Sequence, residues 1–277
     1  MPIQSLDQWL AANRQRIRIT KTTTRTSVAL MWFHMFELAG NPGAGTNPGT
    51  NTANGGTLET DVTAGYPDVS FSSGTGYLTK VEFGNTIAGR LMLFDRLVKM
   101  GAFTYNNGVV TVSSGWPNIT GRCPDYTGGA TYGARNELWF EALATFTSAT
   151  AFTVTVSYTN QAGTSGRTAT MPTQAAANLT LGKMIQLSLQ AGDTGIQQIN
   201  SVTTTTGSAT AGSYNLNIMR SLWTQGRIRV ANDGDIHDVF KTGGPVVYSD
   251  SAIMPLITTD SGTSSGLPEF GFNIDNG

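Results

Sequence analysis

Between residues 136 and 222 the side chains alternate. Phe152, Val154, Val156 and Tyr158 are separated by Thr153, Thr155, Ser157 and Thr159. That period of two marks a strand with one buried face. Ile185, Leu187 and Leu189 alternate with Gln186, Ser188 and Gln190, and Tyr214, Leu216 and Ile218 with Asn215 and Asn217. Leu138, Phe140 and Ala142 form one face of an earlier run, opposite Trp139 and Leu143. Asn160-Gln161-Ala162-Gly163 and Ser165-Gly166 supply turn residues between runs. Short strands separated by Gly, Asn, Asp and Ser clusters predict a mainly β chain, an antiparallel β-sandwich of jelly-roll-like type.

Two stretches break this pattern. Ser5 with Gln8 three residues later is a capping-box spacing, and Leu6, Trp9 and Leu10 follow on one helical face. A short N-terminal helix ending near Asn13 is expected. Ile87, Leu91, Phe94 and Val98 recur at helical spacing, with Gly101 as a stop. They predict one internal helix from about Thr86 to Lys99, after a strand at Leu78 to Phe83. Val28 to Leu38 is apolar but too short for the roughly 20 residues of a membrane span, so it reads as a buried strand or short core helix. Asn106-Asn107-Gly108 predicts a hairpin turn before a strand at Val109 to Val112. Residues 40–56 are rich in Gly, Pro and Asn and predict an extended loop. Ile253, Met254, Leu256 and Ile257 predict one or two edge strands, and residues after Thr258 an extended tail. The organisation read from these patterns is an N-terminal arm at 1–25, a β-rich body at 26–222 with 136–222 its most regular part, and an extension with tail at 223–277.

Composition sharpens this picture. Charged residues make up 13% of the 277, net charge is −1, and there are 33 glycines. A surface of hydroxyls and amides replaces ions, and no global field draws nucleic acid or an anionic membrane. The single Cys123 has no intramolecular disulfide partner and reads as a small buried apolar residue. No signal peptide is read at the N-terminus. Arg14, Arg16, Arg18, Lys21 and Arg25 alternate with Ile17 and Ile19 over a basic stretch that holds one acid, Asp7. Either this is a solvated strand face or it meets an acidic neighbour; without interleaved aromatics it is a weak nucleic-acid signal.

Candidate chemistry is sparse. His34 lies in an apolar run and reads as a core histidine. Asp233, Asp235 and His237 are weak candidates for a hard cation, but the segment lacks an EF-hand pattern. Gly262-Thr263-Ser264-Ser265-Gly266 matches a nucleophile elbow by letter without its strand-to-helix setting. Glu137 and Glu141 share a strand parity, about 13 Å apart when extended, and read as polar positions on an exposed face. Trp116, Trp139, Trp223, Tyr126 and Tyr132 offer aromatic faces for a sugar platform. No catalytic residue, cofactor or membrane partner is expected, so the chain reads as a non-enzyme.

The runs VSYTNQAGTSGRTAT and LSLQAGDTGIQQINSVTTTTGSATAGSYNLNIMR, with the upstream GRLMLFDRLVKMGAF, resemble virion structural proteins of tailed bacteriophages. The resemblance covers roughly residues 89–222. It implies a minor capsid, cement or decoration protein on the capsid surface, made in the bacterial host cytoplasm. Its implied partners are a major capsid protein and copies of itself, a trimer by analogy with threefold lattice sites. The assembly contacts expected are Trp9, Leu10, Arg14, Arg16 and Arg18 of the arm, and Phe270 and Phe272 of the tail. The alternative is a receptor- or glycan-binding sandwich on a phage tail or spike, with carbohydrate as partner.

Overall fold

The computed structural model describes residues 5–46, 56–71, 75–104, 109–111, 116–123, 133–147, 151–175, 179–206, 212–239, 244–260 and 262–276. The chain begins with helix α1 (Leu6–Ala11), followed by β1 (Asn13–Lys21), β2 (Phe33–His34), β3 (Gly40–Asn41), β4 (Thr57–Leu58), β5 (Gly76–Asn85) and β6 (Gly89–Thr104). Next are β7 (Val109–Thr111), a 3-10 turn (Thr120–Arg122), β8 (Asn136–Ala142), β9 (Phe152–Asn160), β10 (Arg167–Thr170), β11 (Met184–Gln186) and β12 (Ile196–Thr206). The last strands are β13 (Ser213–Ile228), β14 (Asp233–Asp238), β15 (Val246–Val247), β16 (Ile253–Thr259) and β17 (Glu269–Asn276). The pairings described between strands are antiparallel. The mainly β, sandwich-type fold expected from the alternation is what the structure shows.

The chain divides into two units. The first comprises Met1–Thr46, Thr60–Asp95 and Leu222–Gly277; the second comprises Asn47–Glu59 and Arg96–Ser221. The supposed arm, the front of the body and the C-terminal extension form one unit, because their strands pair.

In the first unit a sheet runs in the order β14-β5-β17-β1-β3, with β15 also on β5. Its inner face carries Ile17 and Ile19 from β1, Leu78, Val81 and Phe83 from β5, and Phe270, Phe272 and Ile274 from β17. These pack with Leu91 and Leu93 of β6, Ile253 and Ile257 of β16, and Phe33 of β2. Burying each such side chain contributes about 1.5–3 kcal/mol. Leu78 and Val81 differ in parity, yet both are buried. A register shift explains it: Ile274 pairs with Leu78 and Asn273 with Lys80, which leaves Thr79 as an extra residue. Such a bulge resets which side chains face inward. The Thr79 hydroxyl donates to Asp275 Oδ2 at 2.7 Å.

The tail expected after Thr258 is corrected by the same sheet. Residues 269–276 are strand β17, paired on one side with β5 and on the other with β1. β16 is likewise no edge strand, since it pairs with both β6 and β2. The internal helix expected over about Thr86–Lys99 is also corrected: most of it lies in β6. Every residue from Leu93 to Gly101 is buried, so both faces of the strand are covered and the period of two disappears. The stretch at 28–38 contains β2, both residues of which are buried. The turn at Asn106–Gly108, Tyr126, Tyr132 and Val112 lie outside the described residues, as do residues 47–55 of the expected loop.

In the second unit the four-stranded sheet β10-β9-β12-β7 forms one layer. β8 lies between β11 and β13, and β4 pairs with the later part of β6. Aromatic rings fill the core. Phe140 of β8 lies 5.1 Å from Tyr214 of β13 and 5.8 Å from Phe152 of β9, and Phe103 of β6 lies 5.2 Å from Tyr214. At one end Asp193 ties loops together. It accepts from the Tyr158 hydroxyl at 2.5 Å, Asn160 Nδ2 at 2.8 Å and Arg167 Nε at 2.9 Å. Burial pushes the Asp193 carboxyl up, but the bonds from Arg167, Tyr158 and Asn160 outweigh it and hold its pKa at about 2. Burial, and then the bond to Asp193, push Tyr158 up to about 12.

Two predictions follow the layout. Helix α1 has no buried residue. Removing residues 1–12 should therefore change stability by about 1 kcal/mol or less. Removing 1–21 deletes Ile17, Ile19 and the β17 partner, and should abolish the cooperative melt of the first unit; circular dichroism on both truncations checks this. For Asp193 the folded pKa is depressed, so its stabilisation is present above the unfolded value of about 3.9 and is lost as pH falls towards 2. Asp193→Asn should lower stability at pH 7 and flatten the loss between about pH 4 and 2, read by urea melts across pH.

Candidate assembly surface

The alternation that buries Ile17 and Ile19 turns Arg14, Arg16 and Arg18 to the outer face of the first unit's sheet. In register, Arg14 lies opposite Asp275, Arg16 opposite Asn273 and Arg18 opposite Gly271. Arg14 Nε meets Asp275 Oδ1 at 2.7 Å, Arg16 meets Glu82 at 3.2 Å and Arg18 meets Glu269 at 2.8 Å. Lys80 meets Glu82 at 2.6 Å. The Lys80 hydrogen bond, aided by the charges of Lys80 and Arg16, holds the Glu82 carboxyl below its usual range. The acidic neighbours of the basic strand are thus supplied by β5 and β17 of the same chain. Arg16 and Arg18 remain 67% and 66% exposed, so these pairs contribute only about 0–1 kcal/mol each. Their guanidinium groups keep donors facing solvent.

Helix α1 sits on this face. Ser5 caps it by accepting from Gln8 N at 3.2 Å, as the capping-box spacing predicts. The Arg14 guanidinium lies 4.3 Å from the Trp9 ring centroid, a cation–π contact between helix and strand. Leu6 and Leu10 are 62% and 67% exposed. A hollow of about 340 Å³ is lined by Leu6, Trp9, Thr79, Lys80, Ile236 and their neighbours. Ile236 of β14 is 64% exposed. Sequence reasoning missed Ile236, Lys80 and the three acids Glu82, Glu269 and Asp275. The only available signal was the matched charge alternation in β1 and β17, which becomes meaningful once their register is known.

Phe270 and Phe272 belong elsewhere. Both are inward-facing, 3% and 1% exposed, and Phe270 stacks on Phe83 with ring centroids 5.5 Å apart. Their rings are occupied within the chain, which corrects their expected place in assembly contacts. Arg14, Arg16 and Arg18 share the sheet's outer face, and Trp9 lies against Arg14 there.

The remaining candidates are dispersed. His237 Nε2 lies 2.7 Å from Asp235 Oδ2, and its ring lies beside Trp223 at 4.9 Å. Asp233 accepts from Gly234 N at 2.8 Å. Among the described residues no group of three or more His, Cys, Asp or Glu side chains converges as a metal site. His34 is fully buried, with Nδ1 3.1 Å from Glu37 Oε2. Burial pushes Glu37 up, but His34 and Arg25 outweigh it and bring its pKa down to about 2. Cys123 is buried and its Sγ receives Asn136 Nδ2 at 3.0 Å. Ser264 accepts from Gly266 N at 3.2 Å in a loop that leads to strand β17, not to a helix. No helix among the described residues is long and apolar enough to cross a membrane.

Glu141 departs from its expected exposed setting. It is fully buried and ion-paired with Arg96, which is also fully buried. Asn217 Nδ2 donates to Glu141 at 3.1 Å and Asn215 Nδ2 at 3.3 Å, while Arg96 Nε donates to Asn217 Oδ1 at 2.8 Å. The register sets Asn215 opposite Glu141 and Asn217 opposite Trp139, so the polar side of β8 and β13 forms one network. Glu137 accepts from Trp139 Nε1 at 2.8 Å and Gln186 Nε2 at 3.0 Å. Burial raises its pKa, opposed by the Trp139 bond. With one carboxylate locked by Arg96, the pair does not form an acid–base couple. The sugar platform also disperses: Trp139 is buried, Trp116 and Trp223 are half-buried, and among the described residues no tryptophan is exposed.

No protein-family model matches the sequence, and no curated protein matches it. Among solved structures, the chain aligns with that of the infectious bursal disease virus Gx strain at 12% identity, over 95% of this chain and 80% of that chain, with a TM-score of 0.18. It aligns with the VP2 subviral particle of infectious bursal disease virus at 13% identity, over 96% of this chain and 81% of that chain, with a TM-score of 0.20. Scores at this level carry no argument about topology or role.

The contrast between the two kinds of arginine pair is measurable. Arg96→Met leaves Glu141 buried without its cation and should cost about 3–5 kcal/mol. Arg18→Met, on the solvated face, should cost about 1 kcal/mol or less. Urea denaturation of the two variants tests the difference.

Proposed function

We propose that this protein is a non-enzymatic structural component of a viral particle, acting through contacts of its β faces with neighbouring subunits. The observation that carries the reading is helix α1: a helix with no buried residue, carrying exposed Leu6 and Leu10 above a sheet face that also exposes Ile236. A six-residue helix is marginal alone, and apolar side chains held out in this way gain stability when a partner covers them. The resemblance of residues 89–222 to virion structural proteins of tailed bacteriophages supports a finer version, a minor capsid, cement or decoration protein on the head. In that version Trp9, Leu10, Arg14, Arg16 and Arg18 meet a major capsid protein or another copy. The receptor- or glycan-binding reading gains nothing from the tryptophans, whose rings are at least half-buried among the described residues.

Mass spectrometry and cryo-microscopy of purified particles test the proposal. Many copies on the head surface, with α1 at a subunit contact, are the expected result. A few copies at a tail tip would replace the cement reading with receptor binding. Absence from particles would overturn the structural role.

A further inference from the structure

The first unit's sheet ends at β14 on one side and at β3 on the other. β3 is two residues long, whereas β14 runs over six, Asp233–Asp238. Asp238 pairs with Lys80 of β5, and just beyond it Val239 N donates to Thr79 O at 2.8 Å. In an antiparallel pair, hydrogen-bonded and non-hydrogen-bonded residues alternate. Asp233, Asp235 and His237 therefore address β5 with their backbone groups. Gly234, Ile236 and Asp238 turn theirs to the open margin. Asn232, at φ 59°, donates to Asn85 O and adds one residue opposite Asn85 before this alternation starts.

An open strand margin is a template for another chain. Bulk does not shield this one, since Gly234 has no side chain and Ile236 is 64% exposed. The strand also matches itself. Two copies of β14, antiparallel about a two-fold axis through Ile236, would set Ile236 against Ile236 and Asp235 against His237 on each side. A second copy is thus the strand that this margin has to refuse. The Ile236 N–H faces outward and would be the central donor of that ladder.

That donor is already taken. Ile236 N donates to Asp235 Oδ1 at 2.9 Å, and Gly234 N donates to Asp233 Oδ1 at 2.8 Å. The other oxygen of Asp235 lies 2.7 Å from His237 Nε2, and the His237 ring lies beside Trp223 at 4.9 Å. We infer that Asp233 and Asp235 close this margin: their carboxylates occupy outward N–H groups of β14 and bar strand-to-strand pairing between copies. An incoming strand would bring its carbonyl oxygens against carboxylates, which have no hydrogen to offer. His237, backed by Trp223, is a positioning residue that fixes the Asp235 carboxylate over the Ile236 N–H. Copies of the chain then meet through the faces of their sheets rather than through this edge, and the closure holds whether or not the protein enters a particle.

Sedimentation velocity on the full chain over a concentration series tests this. Asp233→Ala with Asp235→Ala should self-associate about tenfold or more tightly than the wild type. Asp233→Asn with Asp235→Asn keeps an acceptor oxygen at each position and loses the charge; it should behave like the wild type. Adding Ile236→Pro to the alanine pair removes the central N–H and should restore wild-type behaviour. A folded alanine variant that associates no more than the wild type overturns the inference. So does an asparagine variant that associates like the alanine one, or association that survives Ile236→Pro. If the alanine variant does not fold, amide exchange in the wild type decides, read by NMR. Gly234 and Ile236 should exchange about tenfold or more slowly than a free peptide, and exchange at the free-peptide rate overturns the closure.

Discussion

The first unit depends on the pairing of β1 with β17. Eight residues of β1 register against eight of β17, from Asn13 with Asn276 to Thr20 with Glu269. Without that ladder the sheet would fall into two pieces, β14-β5-β17 and β1-β3. Both faces rely on it. Inside, it sets Ile17 and Ile19 beside Phe270, Phe272 and Ile274; outside, it brings Arg14 to Asp275 and Arg18 to Glu269. A slip of one residue would send the isoleucines to solvent and the arginines into the core. The hydrophobic face and the charge pairs thus specify the same register.

Part of this was legible in the residues. Strand β9 announces itself because it has one buried face, and Phe152 to Asn160 shows the alternation without interruption; β8 and β13 alternate apolar with polar side chains even though the polar ones are buried too. The Ser5 cap was readable because capping is local. Where the reading failed, the determinant was remote. β6 lost its alternation because other parts of the fold cover both its faces, and a continuous apolar run does not distinguish helix from strand. β17 looked like a tail because Gly271, Asn273 and Asp275 are polar or small, and only the partners β5 and β1 make Phe270, Phe272 and Ile274 a core face. The Thr79 bulge hid the true parity of β5.

The candidate surface was legible to a similar degree. Trp9, Leu10 and the three arginines were singled out by type and spacing; the arginines share one face of the sheet, and Trp9 packs against Arg14. Their acidic partners were not, since Glu82, Glu269 and Asp275 are distant in sequence and close only through register. Glu141 shows the opposite case. On a strand pattern it looked solvated, yet Arg96, Asn215 and Asn217 satisfy it in a fully buried setting. A low overall charge therefore hides two different electrostatic designs: a screened ladder on a surface and a desolvated network in an interior.

The β1–β17 ladder also has a consequence for synthesis. Arg18 and Glu269, which it joins, are 251 residues apart in sequence. On the ribosome β1 emerges well before its partner β17. The second unit, formed by Asn47–Glu59 and Arg96–Ser221, is complete long before β17 exists. Translation at about 5–20 residues per second leaves the β17-facing edge of β1 unmatched for roughly ten seconds to a minute, while its other edge can meet β3 soon after synthesis. Its alternating arginines then serve a second purpose. They keep a waiting strand soluble and discourage premature pairing between nascent chains, much as charges protect exposed strand edges in finished proteins.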